Sequence, residues 1–133
     1  MASAAMITTI DASPADAEAR VREALAEEGF GILSEIDVEA TLRAKLGEEV
    51  GAYKILGACS PPLASRALAA DPDVGVLLPC NVVLRANADG GGTDVLVADP
   101  DTLVELLGDA LTDVAADART RLKAALERLE GAA

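Results

Sequence analysis

A chain of 133 residues is the size of one domain, and a domain of that size buries roughly two thirds of the surface its unfolded chain exposes. Its 23 acidic against 11 basic residues give a formal charge of −12, which counts against DNA, RNA and anionic membranes, because binding to them rests on Lys and Arg neutralising phosphate. His and Trp are absent and Phe30 and Tyr53 are the only aromatics, so there is no imidazole base and no base-stacking platform, and the core must be assembled from Ala, Val, Leu and Ile.

The first residues, Met1 to Ile7, lack the basic and apolar regions of a secretory leader, and no apolar run approaches the roughly 18 residues that span a bilayer. The expectation is a cytoplasmic protein whose cysteines are free thiols. Met6 to Ile10, β-branched and weakly alternating, reads as a strand. Ser13-Pro14-Ala15-Asp16 then provides an N-cap, a proline at the first helical position and an acid at the positive helix end. The helix that follows places Ala17, Val21, Ala24 and Leu25 on one face and stops near Gly29.

Phe30 to Ile36 reads as a second strand, with Phe30, Ile32 and Ser34 on one side. Asp37 caps a short helix marked by Val38, Leu42 and Leu46 and closed by Gly47. Tyr53 to Ala58 is a third strand that ends at Cys59, because Pro61 and Pro62 cannot continue a ladder but can open a helix. That helix carries Leu63, Ala64, Ala67 and Leu68 inward and ends at Asp71-Pro72.

Val74 to Ala86 is apolar and β-branched, with Pro79 implying a bulge, kink or edge position within or before a fourth strand. Asn87 to Gly92 is a turn, and Thr93 to Ala98 returns as the second arm of a hairpin. Gly90-Gly91-Gly92 lacks the following helix and the Lys-Ser/Thr pair of a phosphate loop. After Asp99-Pro100 a helical segment leads to a long helix whose stripe is Leu111, Val114, Ala115, Ala118, Leu122, Ala125, Leu126 and Leu129. No linker or repeat divides residues 1–133, which read as one domain.

Unusual chemistry is concentrated in two segments, Gly57-Ala58-Cys59-Ser60-Pro61-Pro62 and Leu77-Leu78-Pro79-Cys80-Asn81-Val82. Two cysteines without histidine fall short of a structural zinc set, so no metal is assigned, and a papain-like nucleophile lacks its base. Cysteine is commonly a small buried side chain, but a thiolate at Cys59 would face the N–H groups of a helix opened by Pro61. Cys80 is the second thiol or a core residue. Asn81 either orients a ligand with its amide or bonds its own backbone. Lys54 is an anion clamp, a perturbed amine or a snorkelling strand lysine. Asp37 and Asp99 read as helix caps.

Tyr53-Lys54-Ile55-Leu56-Gly57-Ala58-Cys59, Pro61, Ala64, Gly75, Leu77-Leu78-Pro79-Cys80-Asn81-Val82 and Asp99-Pro100 together resemble the pattern of the domain of unknown function 302 family, from about Thr8 to Leu129. Ser60 departs from it, standing where Asn is expected. The resemblance implies a two-layer α+β domain similar to TATA-box-binding-protein-like folds, with a curved, mainly antiparallel sheet packed by helices in the order β-α-β-(α)-β-(α)-β-β-α. It also implies a homodimer. It carries no established activity and no cofactor, and fold alone does not import DNA binding. The expectation for function is therefore a small homodimeric protein that binds a small molecule near Tyr53, Lys54, Cys59, Ser60, Cys80 and Asn81. Two alternatives are a non-catalytic interaction module with packed cysteines and a thiol-redox protein, the latter requiring Cα atoms within about 7 Å.

Overall fold

A computed structural model describes residues 4–131. Residues 1–3 and 132–133 lie outside the described residues, and with them the start of the Met1–Ile7 segment read above for a leader. The strands are β1 (Ala5–Ile10), β2 (Gly31–Asp37), β3 (Tyr53–Cys59), β4 (Cys80–Ala86) and β5 (Thr93–Ala98). The helices are α1 (Pro14–Glu27), α2 (Val38–Leu46), α3 (Pro61–Ala70), α4 (Asp101–Leu107) and α5 (Thr112–Gly131), with 3-10 turns at Pro72–Leu77 and Asp109–Leu111. One sheet, antiparallel throughout, has the order β1-β5-β4-β3-β2. The α+β class and the order of elements agree with the reading from sequence.

Local chemistry explains most of these boundaries. The Ser13 hydroxyl accepts from the Asp16 N–H at 3.2 Å, with Pro14 opening α1, and Ala17, Val21, Ala24 and Leu25 are all buried. Asp37 caps α2 by accepting from the Ala40 N–H at 2.9 Å, and Gly47 in the left-handed region closes it. Along α5 and the turn before it, each of the eight residues of the expected stripe is buried. All of them except Ala115 form one core with α1 and with the inward residues of the sheet, Ile10, Leu56, Ala58, Val82, Leu84, Val95 and Val97.

Three expectations are corrected. Ile32 and Ser34 do not share a face, because a bulge lies between them: Ile32 pairs with Ala58 and packs on the core, whereas Ser34 pairs with Gly57. Phe30 precedes β2 and donates its N–H to the Leu25 carbonyl at 2.9 Å, finishing α1. Val74 to Leu77 is a 3-10 turn, not strand, because the Asp71 carboxylate accepts from the Asp73 N–H and Pro72 opens a helical turn that buries Val74. Pro79, joined to Leu78 by a cis peptide bond, stands just before β4. No residue of α2 is buried, so its Val38-Leu42-Leu46 stripe has the helical spacing but no core partner.

The hairpin tip is organised by Asn87, whose side-chain carbonyl accepts from the N–H groups of Asp89 and Gly90 while its amide donates to Asp94 at 2.7 Å. Asp94 also accepts from the Thr9 hydroxyl at 2.7 Å and from Arg85 at 3.1 Å. Hydrogen bonds from Asn87, Thr9 and Arg85 hold its carboxyl below the usual range although burial works in the opposite sense. A depressed carboxyl contributes stability that is present above the unfolded value and lost as pH falls through the folded one. Asp94→Asn is thus expected to cost about 1 kcal/mol at neutral pH and to flatten the acid limb of stability against pH, measured by urea unfolding. An unchanged acid limb would remove Asp94 from the account.

Candidate functional site

The two cysteine segments meet at one end of the sheet. In the β3–β4 ladder Ala58 lies opposite Cys80 and Gly57 opposite Asn81, so Cys59 and Cys80 stand one register position apart. β3 stops where Pro61 removes a ladder donor and starts α3, and β4 starts where Pro79 ends. The joint between them is tight. A Cβ on Gly57 would meet the Ser34 hydroxyl and lie 2.7 Å from Pro79 Cγ. Only a glycine lets the proline ring lie over β3 at this point and set the start of β4.

Under α3 the strand ends leave a cavity of about 340 Å³, within the size range of small-molecule sites. Cys59, Ser60 and Cys80 line it together with Phe30, Leu63, Ala67, Leu103 and Val114, and no lining residue is charged. The polar groups are the Ser60 hydroxyl and the two thiols. Ser60 is buried and its hydroxyl does not cap α3. Both cysteines are free and half-buried. Burial pushes the Cys80 thiol up, and neighbouring Cys59 adds to the effect, so Cys80 is a protonated thiol at neutral pH.

The remaining expected site residues lie elsewhere. Asn81 is exposed and lines a neighbouring groove with Asp99 and Pro100, which shares Leu78, Pro79 and Cys80 with the apolar cavity. Tyr53 and Lys54 are at the opposite end of β3, roughly 17–20 Å from Cys59 by strand rise. There Lys54 Nζ is 2.8 Å from both Glu18 and Glu35, and Arg22 joins the same two carboxylates at 3.0 and 2.8 Å. This ring ties α1 to β2 and β3. Hydrogen bonds that Lys54 donates to the Glu18 and Glu35 carboxylates raise its amine, so it is a structural ammonium and not a lowered nucleophilic amine. Asp99 caps the start of α4 by accepting from the Asp101 N–H and also holds Arg119 at 3.2 Å.

Phe30, Leu103 and Val114 reach the cavity from α1's end, α4 and α5 and were not among the expected site residues. Only Phe30 carried a signal, as one of two aromatics in the chain. Among the described residues there is no group of three or more His, Cys, Asp or Glu arranged to hold a metal ion, and no helix is long and apolar enough to cross a membrane.

Comparison with known proteins agrees with this geometry. The family model for the domain of unknown function DUF302 matches residues 6–129. The crystal structure of the uncharacterized conserved protein DUF302 from Bacillus stearothermophilus superposes with a TM-score of 0.89 at 32% identity, covering 96% of this chain and 99% of that one. No curated protein matches. The chain belongs to the DUF302 family of domains of unknown function.

Proposed function

We propose that this protein binds a small, uncharged, largely apolar molecule in the cavity between the two cysteine segments. One observation carries the reading: the lining holds no charged side chain, although 34 of the chain's residues are charged, 23 acidic and 11 basic. A charged metabolite would lose its hydration there with no counter-charge in return. An apolar one gains by burial, and the Ser60 hydroxyl and the thiols supply the few polar contacts that orient it. Cys59 is the sulfur we assign to a covalent contact, because it ends β3 directly before the α3 segment opened by Pro61, whereas burial pushes the Cys80 thiol up. The reading has the protein in the cytoplasm, where thiols are kept reduced.

The test is titration with the neutral dye N-phenyl-1-naphthylamine, followed by fluorescence, beside maleimide labelling of the cysteines. One saturable dye site per chain is expected, and saturation is expected to slow labelling of Cys59 and Cys80 together. Ala64 is half-buried in the lining, so Ala64→Phe fills the cavity from α3 with little disturbance of the core. It is expected to weaken dye binding at least about tenfold, a loss of about 1.4 kcal/mol, at an unchanged thermal midpoint. Dye binding that is absent in the wild type, or indifferent to Ala64→Phe, would rule the cavity out.

A further inference from the structure

The two serines that open helices differ in what their hydroxyls do. Ser13 opens α1 and accepts from the Asp16 N–H, whereas Ser60 opens α3 and its hydroxyl accepts from no N–H of that helix. Pro61 and Pro62 fill the first two positions of α3, and neither has an N–H, so one of the two donors that a cap ordinarily takes does not exist. The Ser60 hydroxyl has no other partner among the described residues, yet the residue is only 3% exposed. No fully buried side-chain oxygen or nitrogen is left unpaired among those residues, so the little surface that Ser60 keeps includes its hydroxyl, and that surface faces the cavity it lines. A polar group so enclosed costs free energy until something bonds it.

We propose that the ligand of this cavity is a neutral apolar aldehyde, held by a hydrogen bond from the Ser60 hydroxyl to its oxygen and by reversible addition of the Cys59 sulfur to its carbonyl carbon. This rests on the cavity site proposed above and adds the functional group that its ligand carries. Three features select the aldehyde. No side chain of the lining is charged, so the polar end of the ligand is neutral. The polar groups of the wall are the Ser60 hydroxyl and two free thiols, each of which can donate, so the ligand offers an acceptor. Cys59, the last residue of β3, immediately precedes Ser60, which brings a nucleophilic sulfur and a hydroxyl donor together at the positive end of the ten-residue α3. Ethers and amides also accept hydrogen bonds but resist a thiol, whereas an aldehyde carbon takes one up without a leaving group.

The step balances between the two reactants. The S–C bond forms, the carbonyl π pair moves onto oxygen, and that oxygen takes the thiol proton, giving a hemithioacetal with no oxidant, reductant or other co-reactant. Ser60 donates to the oxygen on which charge builds, and the first turn of α3 favours the same charge. Cys80, held protonated by burial, is left as a wall residue.

Displacement of bound N-phenyl-1-naphthylamine by octanal and by 1-octanol tests this, because the two competitors share a chain and differ only at the end group. In the wild type octanal is expected to compete at least about tenfold better than 1-octanol. Cys59→Ala is expected to bring the two to equal strength while dye binding stays. Carbon-13 NMR with octanal labelled at its carbonyl carbon is expected to show a hemithioacetal signal, separate from that of the free hydrate, in the wild type and not in this variant. Should Cys59→Ala fail to fold, Cys59→Ser, which keeps a small polar side chain without the sulfur, takes its place. Ser60→Ala is expected to weaken octanal roughly twofold to tenfold, the range of one neutral hydrogen bond. Its Cys59 is expected to react at an unchanged rate with iodoacetamide, whose charge departs on iodide. Dye that yields equally to aldehyde and alcohol, an octanal preference that survives the loss of Cys59, or one indifferent to Ser60→Ala would overturn the inference and leave the cavity site standing. A protein that binds no dye would overturn both.

Discussion

Leu122→Ala is expected to lower stability by about 3 kcal/mol, within the range for large-to-small core substitutions, and the thermal midpoint by roughly 10 °C. Leu122 lies midway along α5 with no exposed surface, and α5 packs on α1, α3 and β1. Truncation removes apolar area from the place where the helical layer joins. With two aromatics in the whole chain, no large ring stands by to collapse into the space. Leu106 is the control, since the same change at a 68% exposed position is expected to stay within about 0.5 kcal/mol. Urea unfolding of both variants checks the difference; equal midpoints would mean that α5 is not the keystone of the core.

Gly57→Ala is expected to cost about 1–3 kcal/mol, the range for overpacking, although it adds one methyl group and requires no unusual backbone angle. The new Cβ would run into the Ser34 hydroxyl on β2 and the ring of Pro79, whose Cγ would be 2.7 Å away. Ser34 is exposed and can turn aside. Pro79 cannot, because its ring is part of the backbone and Cys80 is its neighbour. Displacing it moves Cys80 and with it the cavity wall. Two readouts are expected to change together: the thermal midpoint falls, and maleimide labels Cys80 faster. Ser34→Ala in the Gly57→Ala chain is expected to restore part of the stability but not the slow labelling. A Gly57→Ala protein with wild-type stability and labelling would refute the role given to Pro79.

These two residues mark the boundary between local and tertiary information. The Leu122 stripe was legible because helical spacing is a property of neighbouring residues: positions three and four apart share a face wherever the helix sits. The same holds for Ser13-Pro14 and Asp37 as caps, for the hairpin turn at Asn87 to Gly92, and for the end of β3 at Ser60-Pro61-Pro62, each a matter of a few adjacent dihedrals and donors. Family membership was legible too, since the Gly57–Pro62 and Leu77–Val82 segments carry its pattern. Val74 to Leu77 misled, because β-branched composition favours strand while Asp71-Pro72 imposes a turn.

Contacts across the chain were out of reach of that kind of reading. Gly57 could not announce that Ser34 and Pro79 crowd it. Lys54, read as a site residue from its place in the motif, proved to be committed to Glu18, 36 residues away. The cavity needed Phe30, Leu103 and Val114 from three separate segments, and their apolar character suits any core position equally well. Spacing along the chain settles which way a side chain points from its own element; what it then meets is settled by the sheet order and by which helices cover which face.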